Sequence, residues 1–154
     1  MKTSAANVLI MACMTIGPTW ARADESNIKV TVVAILASTT DKKIDKELKE
    51  LAQEMRKKDP TLIGFMVERS SSQSMKVGEK ATFTLLDKKS VEVELREKNP
   101  KTNRVSLTIT PPTLGEIAYT TCCEKYFPVC TGYQTMDGRK LIVAVMVSPC
   151  GKKQ

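Results

Sequence analysis

Short β-type segments fill the chain after residue 60, and they restrict the possible fold more than any other feature of the sequence. Residues Val91–Leu95 and Val105–Ile109 alternate apolar with polar side chains, as do strands that bury one face. The turn residues Asn99–Asn103 lie between them and predict a hairpin over 90–110. Further strands are predicted at 62–68, 80–86, 116–122, 126–135 and 140–148, with a flexible polar loop at 70–74.

Before residue 60, the spacing of the apolar residues changes from that of a strand to that of a helix. Residues 28–37 are β-branched and become continuously apolar, which predicts a central strand buried on both faces. Apolar residues then recur at helical spacing over 41–58, where Thr40 or Asp41 can cap the helix and Pro60 ends it. The sequence therefore predicts an α+β fold, with one amphipathic helix packed on a mostly antiparallel twisted sheet or a small β-sandwich of six to eight strands.

The first 23 residues are typical of an export signal. One early positive charge, an apolar stretch that ends at Trp20, and the small residues Ala21 and Ala23 match the pattern that signal peptidase recognises. We expect cleavage after Ala23, which leaves a single domain over 24–154 in the periplasm, in the cell envelope or outside the cell. An uncleaved anchor and lipid attachment at Cys13 are the two alternatives.

The residue inventory excludes several classes of enzyme. The 154 residues contain no histidine, which rules out His-based triads, His-ligated zinc and imidazole acid–base catalysis. No Ser-x-x-Lys pair occurs around Ser70 to Lys76, and a glycine-rich phosphate loop is also missing. We therefore expect no enzymatic activity, no cofactor, no metal site and no small-molecule substrate.

The charge pattern does not favour a nucleic-acid partner. Without the first 23 residues, 22 basic and 17 acidic residues remain, a net charge of +5, and the two signs are interleaved. Nucleic-acid binding needs a concentrated basic face with stacking aromatic residues, whereas the aromatic residues here are scattered along the sequence. The sequence leaves contact with a membrane open.

Four cysteines remain after the leader: Cys122, Cys123, Cys130 and Cys150. An even number of cysteines in an exported chain favours disulfides. Adjacent cysteines rarely bond to each other because their Cα atoms are only about 3.8 Å apart. Cys122 and Cys123 are therefore each expected to bond to one of the other two, in either arrangement. The alternative is a cysteine-based metal-binding or thiol-redox domain, although the chain has no Cys-x-x-Cys pair.

The C-terminal half resembles the closing signature of bacterial secretins, the outer-membrane channels of type II and type III secretion. The residues that carry the resemblance are a strand that ends in proline (Val105–Pro111), then Pro128, Thr135, Asp137–Gly138 and Leu141–Val143. Where the family's last strand ends in a glycine pair, this chain continues with Ala144–Val147, and its cysteines are foreign to the pattern. The chain is also too short to add membrane-crossing strands. The resemblance thus implies a secretin-like β-domain that has the scaffold without the pore.

The chain is also similar in its overall character to small exported proteins of uncharacterised function from planctomycete-like bacteria, a resemblance that gives no information about activity. We expect a non-enzymatic domain that binds a protein partner, as part of a secretion or surface assembly. Exposed sheet edges can accept an added strand, and residues 80–110 are the first place to look. A pore subunit is a third alternative.

Overall fold

A computed structural model of the chain describes residues 27–122 and 124–149 and shows an α+β fold. Its strands are antiparallel and form two sheets, and its helix covers one of them. The α-helix is α1 (Lys49–Lys58), preceded by a 3-10 turn at Lys46–Leu48. The strands are β1 (Ile28–Ser38), β2 (Gly64–Met75), β3 (Lys80–Thr84), β4 (Ser90–Asn99), β5 (Arg104–Thr110), β6 (Ile117–Cys122), β7 (Phe127–Gln134) and β8 (Lys140–Pro149).

The two sheets contain four strands each. The helix-covered sheet has the order β2-β1-β8-β7, and the outer sheet has the order β3-β4-β5-β6. Apolar side chains from both sheets form one shared core, which includes Val30, Phe83, Leu107 and Val145. A second core on the opposite face of the helix-covered sheet includes Leu51 and Met55 of α1. The molecule therefore has three layers, namely a helix, a sheet and a second sheet.

The prediction that residues 28–37 form a central strand is confirmed. Strand β1 lies between β2 and β8, and all its side chains except Lys29 are buried. Val32 and Ala34 face the core between the sheets, whereas Val33 and Ile35 face α1. Because both faces are covered, the strand is apolar at nearly every position instead of alternating.

The predicted helix is correct at its end and wrong at its start. It ends at Lys58, and Asp59 is extended ahead of Pro60, as expected. The α-helix begins only at Lys49, after the 3-10 turn, because residues 43–45 bond to β2 and are not helical. The Phe65 amide donates to the Lys43 carbonyl at 2.8 Å, and the Asp45 amide donates to the Phe65 carbonyl at 3.0 Å. Neither Thr40 nor Asp41 caps the helix, and the Asp41 carboxylate instead accepts the Lys43 amide at 3.0 Å.

The prediction of a flexible loop at 70–74 is wrong. These residues belong to β2 and pair with β1, for example Ser72 with Thr31 and Ser70 with Val33. The hydroxyl oxygens of Thr31 and Ser72 lie 2.9 Å apart across the pair. Because β2 is an edge strand with one side open to water, serines are tolerated there, and pairing with β1 overrides their low strand propensity.

The hairpin predicted over 90–110 is confirmed, since β4 and β5 are neighbouring antiparallel strands. At the turn, the Asn99 side chain accepts the amides of Lys101 and Thr102 at 3.0 and 3.2 Å. Asn103 completes the reversal with a φ of 55°, a conformation that asparagine tolerates better than most residues. In the described part of the chain, no helix has the length and apolar character needed to cross a membrane.

Candidate functional site

Two open sheets leave four edge strands, which are β2 and β7 in the helix-covered sheet and β3 and β6 in the outer sheet. An edge strand presents unpaired backbone N–H and C=O groups that can accept another strand. Proteins usually block such edges with short strands, lysine, proline, bulges or covering segments. Comparing the four edges therefore shows where a partner strand can add.

Strand β2 is blocked over its first part. The backbone of Lys43–Asp45 bonds to Phe65 on both sides, and the Asp45 carboxylate accepts the Val67 amide at 2.8 Å. A bulge interrupts the pairing at Glu68, since Val67 faces Ile35 and Arg69 faces the adjacent Ala34. Covering and irregularity both disfavour the addition of a strand here.

Strand β7 is interrupted at several points along its length. Pro128 has no amide hydrogen to donate, and the register with β8 shifts between Cys130 and Gln134. Inside the bulge, the Gly132 amide donates to the Thr113 hydroxyl at 3.2 Å, so part of the outer edge is already bonded. Strand β7 therefore combines three features that prevent pairing.

Strand β3 is short and charged. It has five residues and begins with Lys80, whose ammonium nitrogen lies 3.4 Å from a Glu92 carboxylate oxygen and 3.8 Å from one of Glu94. Most of the predicted docking region 80–110 has no free edge, because β4 and β5 are interior strands of the outer sheet. Within that range only β3 has an edge, and its lysine disfavours pairing.

Strand β6 has none of these features. Its sequence, Ile-Ala-Tyr-Thr-Thr-Cys, contains no charge and no proline, and it pairs with β5 without a register shift from Ile117 to Cys122. Ala118, Thr120 and Cys122 are exposed. Uncharged β-prone segments of six residues without proline have the strongest tendency to pair with other strands. Among the described strands, β6 therefore has the edge that is free of these features over its whole length, whereas β2 is covered and kinked only over its first part.

A groove of about 320 Å³ runs beside β6. It is bounded by Tyr119–Cys122 of β6, by Lys125–Pro128, and by Glu54 and Lys58 of α1. The rings of Tyr119 and Phe127 stack there, with their centroids 3.9 Å apart and their planes 16° from parallel. The open strand edge thus lies next to a concave surface with an aromatic wall.

The hydroxyl group of Tyr119 is buried and has no hydrogen-bond partner among the described residues. Burial raises the pKa of Tyr119 to about 12, and the neighbouring Thr121 side chain offsets part of that rise. The Thr121 hydroxyl itself donates to the Cys122 carbonyl at 3.0 Å. The tyrosine is therefore neutral at physiological pH and acts as a packing residue.

The cysteines predicted to form disulfides are only partly described. Cys122 ends β6 and Cys130 lies in β7, and both side chains are exposed. They line different cavities, Cys122 the groove beside β6 and Cys130 a second cavity of about 320 Å³ bounded by Asp59 and Lys140. Cys123 and Cys150 lie outside the described residues, and so do Cys13 and the cleavage-site residues Ala21 and Ala23.

The environment of Cys130 does not favour a reactive thiol. Burial raises the pKa of Cys130 and the Asp59 carboxylate adds to the rise, whereas Lys58 and Lys140 oppose it. A raised pKa reduces the fraction of thiolate, which is the form that attacks disulfides and binds metals. Within 27–122 and 124–149, no three side chains of His, Cys, Asp or Glu converge as metal ligands. Among the described residues, no observation favours the thiol-redox or metal-binding alternative.

The residues of the secretin signature lie on β5, β7 and β8 and in the turn between the last two strands. Comparison of the chain with protein-family models, with curated proteins and with solved structures gives no significant match. The resemblance to secretins therefore stays a prediction, and the candidate site is argued from its geometry alone.

Proposed function

We propose that the chain is a non-enzymatic, exported domain that binds a partner protein by adding an extended strand at the β6 edge. The observation that carries the proposal is the contrast between β6, which is uncharged and regular from end to end, and the other three edges, each of which is covered, kinked or charged over part of its length. Strand addition supplies affinity through main-chain hydrogen bonds and specificity through pockets for alternate side chains.

The length of β6 determines how many main-chain hydrogen bonds an added strand can form. A strand of six residues turns alternate residues outward, so about three N–H and three C=O groups face a partner. Each hydrogen bond contributes about 0.5–1.5 kcal/mol net, which sums to a modest affinity. Side chains of the partner that enter the groove and contact the Tyr119–Phe127 pair would supply the rest.

The proposed location is supported by the export signal predicted over residues 1–23, and the proposed assembly is supported by the resemblance to secretins. Cleavage after Ala23 would release the domain into the periplasm, the cell envelope or the medium. There the domain would act in a secretion or surface assembly, as the similarity to secretins implies.

Two matched lysine substitutions test the proposal. Thr120 and Thr82 are exposed threonines on the two edge strands of the outer sheet. Full-length protein, expressed for export and immobilised, is used to capture proteins from envelope extract. We expect Thr120→Lys to lose the partners that the wild-type protein captures, whereas Thr82→Lys retains them, because a lysine at an edge opposes pairing. Equal capture by Thr120→Lys and wild type, with both proteins folded, would disprove docking at β6.

A further inference from the structure

We propose that the strand added at β6 is β6 of a second copy of this chain. The two outer sheets would then join across a two-fold axis into one continuous sheet. This inference rests on the proposed function, because it uses the same open edge and names the class of partner. Three features of the strand and its surroundings support it.

The first feature is the absence of charge on the edge. When two copies of one strand pair across a two-fold axis, each side chain lies opposite a residue of the same strand in the other copy. A charged edge would therefore place like charges close together, which is destabilising. From Ile117 to Cys122 there is no acidic or basic side chain, so this repulsion does not arise within the paired strands, and the strand offers no charge pattern that would select a foreign strand. Glu116 and Glu124 flank the strand, and the backbone leaves the edge at Glu124, whose amide donates to the Val147 carbonyl.

The second feature is the alternation of the strand. Across an axis perpendicular to the sheet, residues of the same face lie opposite each other, so exposed residues meet exposed residues. With Thr120 on the axis, Tyr119 lies opposite Thr121 and Ala118 lies opposite Cys122 of the second copy. Threonine pairs and pairs of an aromatic with a β-branched residue are favourable neighbours across strands.

This register is better than the one with Tyr119 on the axis. The Tyr119 ring is already stacked on Phe127 of its own chain. Placing two such rings opposite each other would crowd the inner face, whereas the smaller Thr121 leaves room for the ring. The residue on the axis is therefore Thr120, which is exposed and small.

The third feature is the charge around the edge. Glu54, Lys58 and Lys125 line the groove, and Glu124 lies next to it, where its amide donates to the Val147 carbonyl at 2.8 Å. This mixture of signs allows two copies to approach without a local field of one sign. The net charge of +5 on residues 24–154 still opposes association at long range, so added salt should strengthen the dimer.

Sedimentation equilibrium of the full chain, with non-reducing gel electrophoresis of the same samples to exclude disulfide-linked dimers, tests the inference. We expect a reversible dimer for the wild type and for Thr82→Lys, and loss of the dimer for Thr120→Lys. Ala118→Lys, a second exposed position on β6, should also be monomeric. Circular dichroism establishes that each variant is folded, and salt should shift the wild-type equilibrium toward the dimer.

Hydrogen exchange locates the interface in the same samples. The amides of β6 should exchange more slowly as the wild-type concentration rises, whereas those of β3 should not change. A wild type that is monomeric at all concentrations, or a dimer that survives in Thr120→Lys, would overturn the inference. If the protein is monomeric but still captures another protein through β6, the proposed function stands although the inferred dimer does not form. If it captures nothing, both fail.

Discussion

The rings of Tyr119 and Phe127 stack at 3.9 Å between centroids, and this contact joins β6 of the outer sheet to β7 of the helix-covered sheet. Both side chains also pack against the core shared by the two sheets. The open edge is therefore held in place by aromatic packing on one side and by β5 on the other. A rigid edge loses less conformational entropy when a strand is added, which favours binding.

Replacing Tyr119 by Phe should leave stability unchanged or raise it. The substitution keeps the ring and removes a buried hydroxyl that has no partner among the described residues, and an unpaired buried polar group costs about 1–3 kcal/mol. Urea unfolding measures the difference. As a control, Tyr133→Phe should lower stability, because the Tyr133 hydroxyl donates to the Asp87 carboxylate at 2.5 Å. A marked loss of stability in Tyr119→Phe would show that its hydroxyl is bonded after all.

Gly64→Ala should destabilise the fold by about 1–3 kcal/mol or more, the usual cost of overpacking. A Cβ atom at Gly64 would lie 1.9 Å from the Asp41 carbonyl oxygen, so the segment that covers the first part of β2 would have to move. Gly115→Ala is the matched control, because a Cβ atom there meets nothing within 4 Å. Thermal unfolding of both variants checks the prediction, and similar midpoints for the two would contradict the close packing at Gly64.

The fold could be predicted largely from local patterns. The apolar stripe of α1 and the alternation in β4 and β5 reflect burial, which the sequence records directly. Two errors came from interactions between distant residues. Ser70–Ser74 reads as a loop but pairs with β1, and Lys43–Asp45 continues the helical pattern but bonds to β2. Neither pairing leaves a local signal.

The candidate site was largely missed, because sheet order is not a local property. The strand pattern located β6 nearly correctly, yet which strands lie at an edge depends on how eight strands are arranged in two sheets. The predicted docking range, 80–110, contains one edge strand, β3, and the two interior strands of the outer sheet. A usable signal was the absence of charge over 117–122 in a chain where about a quarter of the residues are charged.

The stability of the protein should depend on the ionisation of Asp59. Its pKa is lowered from the ordinary 3.8, first by the hydrogen bond from the Thr61 hydroxyl and next by Lys140, whose ammonium lies 3.2 Å away. A carboxyl group with a lowered folded-state pKa stabilises the fold above its unfolded pKa and loses this effect as the pH falls through the folded value. The wild type should therefore be more stable than Asp59→Asn near neutral pH.

That difference should shrink as the pH falls below the ordinary pKa and vanish at lower pH. Urea unfolding at a series of pH values measures it. Removing the main cause in Thr61→Val should weaken the pH dependence. A constant difference between wild type and Asp59→Asn across the acid range would contradict the assignment.

Export to an oxidising compartment should leave the protein with two disulfides. Cys122 and Cys130 line different cavities, and each is exposed enough to reach an oxidant. With Cys123 and Cys150 they complete an even set in residues 24–154. Protein recovered from the oxidising compartment and denatured without reductant should show no free thiol, and reduction should lower its stability by about 2–5 kcal/mol. Peptide mapping would identify which of Cys130 and Cys150 bonds to Cys122. Four free thiols in the exported protein would disprove the pairing, and bound zinc in addition would favour the metal-binding alternative.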